Sequence, residues 1–198
     1  MQSAKFATAN LDPKPIGEAG SIADIQRILR DWIEEKQPEP GKWVIGWGYD
    51  DTGVEEQRHP NRDDLDAVST EHPILLMHIS SHLMTGNSRM LEEIGISAKT
   101  EDPKGGVIQR RSNGSEPNGV LEENAMYLVL NKLPMPTPEK AMEMIEEGLR
   151  FYAAAGITHY DGTYVVALDA ESGKLLTSNS ESGTLEREVN NGVSLQGE

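Results

Sequence analysis

The sequence has no cysteine, so neither a disulfide framework nor a thiolate metal site is open to it. Aromatic residues are sparse at 5% and apolar residues reach 36%, so any core is modest or shared with further chain. Cations are outnumbered. Against 33 Asp and Glu stand 18 Lys and Arg, and the net charge of −15 excludes the basic surface that nucleic acid or an anionic membrane would require. No apolar run approaches the roughly 18 residues of a membrane span. The opening "MQSAKFATANLDPKP" lacks the apolar core of a secretory signal. A cytoplasmic location is the expectation that follows.

What is present reads as alternating helices and strands. Residues 1–20 carry Pro13, Pro15 and two glycines and form an irregular lead-in. In "SIADIQRILRDWIEEK", Ser21 is the expected N-cap, and Ile25, Leu29, Trp32 and Ile33 recur at helical spacing as one inner stripe. "KWVIGWGYDD" and "ILLMHIS" have strand length, and "RDDLDAVSTEHP" a short helical turn. "NSRMLEEIGI" predicts a two-turn helix capped by Asn87 or Ser88 and stopped by Gly95. "GGVIQRRSNGSEPNGVL" predicts a hairpin, and "LEENAMYLVLNKL" a helix after it. A long helix is expected over 137–155, a strand over Ile157–Tyr160, and a hairpin around Glu171-Ser172-Gly173.

Five histidines and a few polar strand ends carry the candidate chemistry. In "MHISSHLMTGNS", His78 and His82 stand four apart and would share a face of either a helix or a strand. A His-Glu-x-x-His metal helix is excluded, because Ile79 follows the first histidine. Two imidazoles with no carboxylate nearby in sequence make a poor metal site, and the plainer reading places them in a polar pocket wall. Trp47, Tyr49 and Asp50 of "WGYDD" either pack or line a cleft. His59 and His72, beside Pro60 and Pro73, read as surface loop residues. No nucleophile elbow and no phosphate-binding loop is present.

The motifs "NLDPKPIGEAGSIADI", "KWVIGWGYDD", "RHPNRDDLDAV", "HPILLMHISSHLMTGNS", "DPKGGVIQR", "EPNGVLEENA" and "YAAAGITHYDG" follow one another in this order. Over residues 9–163 they resemble a branch of the amidohydrolase superfamily, the one that includes N-substituted formamide deformylases. The resemblance implies a metal-dependent hydrolase of amide and related carbon–nitrogen bonds on a (β/α)8 barrel, with zinc or a similar divalent ion in the full-length family. It places "HISSHLMTGNS" in a domain inserted between the first two barrel strands, with Ser81 where the family pattern has glycine. It also implies that His78 and His82 shape the substrate side of the pocket, and the candidate pocket residues are then His78, His82, Asn87, Trp47, Tyr49, Asp50 and Asp161. The His-x-His pair that the family carries upstream does not occur here.

The expectation is therefore an α+β chain. Residues 21–135 form the inserted domain, 136–163 one helix–strand unit of an incomplete barrel, and 164–198 a divergent hairpin and loose tail. A closed barrel needs roughly 250 residues, so the chain reads as a fragment, inactive alone and holding no metal or catalytic residue of its own. Its partner would be a small-molecule amide in the full-length family. Self-association through an apolar surface near Ala153–Ile157 is also expected. The competing expectation is a stand-alone, non-enzymatic binding or oligomerisation module derived from the insertion.

Overall fold

Ser21 opens the first helix as its spacing predicts, its hydroxyl accepting from the Asp24 N–H at 3.1 Å. This helix, α1, spans Ile22–Lys36 and ends where Gln37 turns left-handed. Ile25 and Leu29 are fully buried, while Ile28, Trp32 and Ile33 pack half-buried around them, so the predicted stripe is the helix's inner face. The structure is a computed structural model describing residues 8–112 and 114–133, Thr137, Glu139 and Glu143, and the strands Val165–Leu168 and Leu175–Ser178. The chain divides into two units, Met1–Met135 and Pro136–Glu198.

The first unit is built on one mixed sheet. Its strands are β1 (Ala9–Asn10), β2 (Val44–Tyr49), β3 (Ile74–His78), β4 (Leu83–Gly86), β5 (Gly106–Arg110) and β6 (Pro117–Glu123). They lie in the order β1-β2-β3-β4-β6-β5. β1, β2 and β3 are mutually parallel, and the remaining pairs are antiparallel. The short helices are α2 (Arg62–Asp66), α3 (Ser88–Ile94) and α4 (Tyr127–Leu130), the last entered through a 3-10 turn, Asn124–Met126. A mixed sheet with helices is the α+β class expected from the sequence.

β3 is the axis of this sheet. All five of its residues are buried, which is why it reads as an apolar run rather than an alternation. Ile74 and Leu76 join Ile25, Leu29, Val44 and Leu65 in one core, under α1 and α2. Leu75 and Met77 point the other way and join Met84, Met90, Leu121 and Met126, under α3 and the 3-10 turn. Full burial of one such side chain is worth about 1.5–3 kcal/mol, so both faces of the strand hold the unit together.

Two expectations change. Leu121–Glu123 belong to β6 and not to a helix: Leu121 pairs with Met84 and Ile108 and enters the second core, so tertiary burial overrides helical propensity. Glu123, at a positive φ of 49°, then ends the strand, and the short helical turns of residues 124–130 follow. His72 is buried, not superficial, its Nδ1 lying 3.0 Å from the Lys42 carbonyl. In the second unit, β7 (Val165–Leu168) and β8 (Leu175–Ser178) pair antiparallel as the expected hairpin. The expected helix over 137–155, the strand Ile157–Tyr160, the apolar surface near Ala153–Ile157 and Asp161 lie outside the described residues.

Asn87 joins these elements. Fully buried, its Oδ1 accepts from the N–H groups of Met90 (2.9 Å) and Ile74 (3.0 Å), and its Nδ2 donates to the carbonyls of Ser69 (2.8 Å) and His72 (2.9 Å). Asn87→Ala strands four backbone groups, three of them in buried hydrogen bonds, and a loss of about 3–4 kcal/mol is expected in urea unfolding. A loss below about 1 kcal/mol would show that water replaces the amide.

Candidate functional site

The three parallel strands all end at the same edge, and the candidate chemistry collects there. Tyr49 is the last residue of β2 and His78 the last of β3. Trp47 pairs with Met77 and Tyr49 with His78, so Gly48 is an extra residue in β2, a bulge. The bulge turns Tyr49 onto the side of the sheet that His78 faces. Gly48 sits at φ 101°, and a Cβ there would collide with the Asp12 carboxylate, so only glycine suits the position. The Tyr49 and His78 rings meet edge to face at 5.0 Å.

Asp50 and Asp51 divide the work between them. Asp50 builds the turn after β2, its Oδ1 accepting from the Thr52 N–H (2.9 Å) and hydroxyl (2.7 Å). The Thr52 hydroxyl holds the Asp50 carboxyl below the usual carboxylate range. Asp51 is the residue that faces the imidazoles, with its Oδ1 3.0 Å from His78 Nε2 and 3.8 Å from His59 Nδ1. The Ser80 N–H donates to His78 Nδ1 at 3.1 Å, so Nδ1 is the acceptor and Nε2 carries the proton given to Asp51. The Tyr49 hydroxyl lies 3.0 Å from Thr85 Oγ1 and 3.3 Å from His59 Nδ1. Burial pushes that hydroxyl well above the ordinary tyrosine value.

The histidines of the "HISSH" stretch part company. His78 ends β3, the next residues form the turn into β4, and His82 is exposed with its Nδ1 3.0 Å from Glu123 Oε2. They do not share a pocket wall. His59, read from sequence as superficial, is the true neighbour of His78, with ring centroids 5.7 Å apart. Trp47 is half-buried against the second core, on the opposite side of the sheet. Asn87 lies by Ile74, at the far end of β3 from His78, and its hydrogen bonds are spent on backbone. Asp51 and His59 were missed because 27 residues separate Asp51 from His78 and no local pattern links them.

A divalent cation is what the family resemblance implies. Among the described residues one set of side chains offers donors for such an ion: ligand atoms of Asp51, His59 and His78 all lie within 4.8 Å of one another. One carboxylate oxygen and two imidazole nitrogens are a donor set of the zinc kind. No helix among the described residues is long and apolar enough to cross a membrane.

With this fold and this edge in view, comparison with known proteins gives the class. Residues 6–185 match the profile of the amidohydrolase family, and the chain belongs to that family. It is 35% identical over 136 residues to an N-substituted formamide deformylase of Arthrobacter pascens, covering 67% of this chain and 25% of that protein. It is 33% identical over 124 residues to the putative amidohydrolase YtcJ of Bacillus subtilis (strain 168), covering 63% and 23%. The chain thus spans about a quarter of the length of the curated relatives it matches. An uncharacterized metal-dependent hydrolase from Pyrococcus horikoshii OT3 superposes with a TM-score of 0.50 at 17% identity, over 79% of this chain and 27% of that one. The last likeness is one of fold.

Two measurements check this geometry. Burial holds the His59 imidazole below its ordinary value of 6.5, opposed by the charge of Asp51. Its NMR titration midpoint is therefore expected below 6.5 in metal-free protein, and lower still in Asp51→Asn. A midpoint that rises in that variant would contradict the pairing. Ser81 occupies the left-handed region at φ 62°, where the family pattern has glycine. Ser81→Gly trades the left-handed penalty against glycine's greater unfolded-state freedom and the serine's own interactions, so a change of no more than about 0.5 kcal/mol is expected. Urea unfolding reads the difference.

Proposed function

We propose that this chain supplies the substrate side of a metal-dependent amidohydrolase that cleaves carbon–nitrogen bonds of small, non-peptide amides, and that alone it hydrolyses none. The observation that supports it is the gathering of Tyr49, Asp51, His59 and His78 at the carboxyl ends of parallel strands, in a chain of this family. Ligands of open sheets with parallel strands bind at that edge. An amide presents one carbonyl acceptor and an N–H donor. A protonated imidazole nitrogen of His59 or His78 can donate to the carbonyl, and the Asp51 carboxylate can accept from the N–H, while the fully buried Tyr49 backs the His78 ring. A metal in the whole enzyme would supply carbonyl polarisation and an activated water.

Inactivity of the chain alone rests on its inventory. Its five histidines include no His-x-His pair, the arrangement that the family resemblance assigns to the catalytic metal. N-substituted formamides are the first substrates to test, after the deformylase relative. In chelator-containing buffer, an N-alkylformamide is expected to shift the imidazole NMR signals of His59 and His78 saturably, with no formate released. Absence of any saturable shift, or a shift confined to His82, would end the pocket assignment. Formate release abolished by Asp51→Asn would end the inactivity.

A further inference from the structure

We propose that Asp51, His59 and His78 bind one divalent transition-metal ion of the zinc type, at a site separate from the metal that the family resemblance assigns to barrel strands. A bound ion takes the Asp51 oxygen and the imidazole nitrogens offered to the amide above, so ion and amide compete for this cluster, and metal affinity is measured with no amide present. It also departs from the expectation drawn from sequence, which weighed His78 with His82 and left Asp51 and His59 out.

Geometry supports it first. Around a tetrahedral zinc ion, with ligand bonds of about 2.0–2.1 Å, neighbouring ligand atoms lie about 3.3 Å apart. Two edges of the cluster, 3.0 Å from Asp51 to His78 and 3.8 Å from Asp51 to His59, bracket that value. The third is no longer than 4.8 Å, so a small closing movement of His59 completes the triangle. The fourth position is left for water, as in three-ligand zinc sites.

Each ligand is also held from behind. His78 ends the buried central strand, and its ring rests against Tyr49. Asp51 follows Asp50, whose carboxylate fixes the turn through Thr52. His59 lies between Arg58, which is paired with Asp64 at 2.6 Å, and the Asn61 cap of α2. Side-chain exposures of 10% for His78, 22% for His59 and 28% for Asp51 leave a route for the ion without bathing the site in solvent. Two imidazoles and one carboxylate favour zinc, cobalt or nickel over magnesium and calcium, which take oxygen ligands. The exposed His82–Glu123 pair supplies only two ligands and serves as the internal control.

Binding changes one proton's place. In the metal-free cluster His78 Nε2–H donates to Asp51 and Nδ1 accepts from the Ser80 N–H. Coordination through Nε2 moves that proton to Nδ1, where Ser80 Oγ at 2.7 Å accepts it, and no proton is gained or lost overall. The Ser80 N–H gives up its acceptor and turns to water. Loss of that hydrogen bond weakens affinity by about tenfold. His59 Nδ1 likewise releases the Tyr49 hydroxyl, which keeps Thr85 as partner.

The test uses the full chain without a histidine tag, stripped with chelator and dialysed. Zinc is titrated by calorimetry, and cobalt by visible absorption. One equivalent bound at micromolar affinity is expected, with the intense visible bands of four-coordinate cobalt. Asp51→Asn and His59→Ala, both at partly exposed positions, are each expected to weaken binding about a hundredfold, and His82→Ala to leave it unchanged. Should either variant fail to fold, the unaltered protein still decides: zinc must shift the imidazole signals of His59 and His78 and not those of His82. No saturable binding, binding indifferent to Asp51→Asn and His59→Ala, or binding lost with His82→Ala would each overturn the site.

Discussion

One buried amide holds the first unit in register. Asn87 spends both hydrogen-bonding ends on four backbone groups, and those groups belong to the start of β3, the loop before it and the first turn of α3. A buried side chain with full satisfaction fixes geometry, because any displacement leaves costly orphans. β3 begins at that anchor and ends at His78. The place of the imidazole is thus set from the far end of its own strand, by a residue that never touches it.

The sheet has two characters, and the cluster sits where one of them ends. β4, β5 and β6 pair antiparallel and carry no member of the Asp51–His59–His78 group. β1, β2 and β3 run parallel and share a carboxyl edge. A bulge at Gly48 breaks the alternation of β2, and without it Tyr49 would face the second core with Trp47. The ring contact with His78 therefore depends on one inserted residue with no side chain. Asp12, whose carboxylate occupies the space beside Gly48, ties the end of β1 to the same place.

Much of this fold was legible in the sequence, and the reasons are local. The cap at Ser21, the cap at Asn87, the stop at Gly95 and the apolar run of β3 are signals carried within one or two turns of chain. The segment after Leu121 was not legible, because its helical propensity lost to pairing with β4 and β5, which lie elsewhere in sequence. The site was half legible. His78 and Tyr49 stand in marked motifs, whereas Asp51 and His59 gain their meaning only when β2 and β3 are laid side by side. Spacing of four between His78 and His82 pointed to a shared face, and a hairpin turn separates them instead. The long helix and strand expected after residue 136 fall outside the described residues.

The strand order bears on how the chain reaches this structure. β3 with β4, and β5 with β6, are neighbours in sequence, so each pair closes a short loop at small entropic cost. The parallel pairs β1–β2 and β2–β3 need long crossovers, and such contacts form late and slowly. Asp51 meets His78 only when the second of those crossovers has closed. The antiparallel half is then the natural nucleus, and the carboxylate–imidazole cluster belongs to the last part to consolidate. Substitutions in the cluster would accordingly act on the rate of unfolding, and those in the hairpins on the rate of folding.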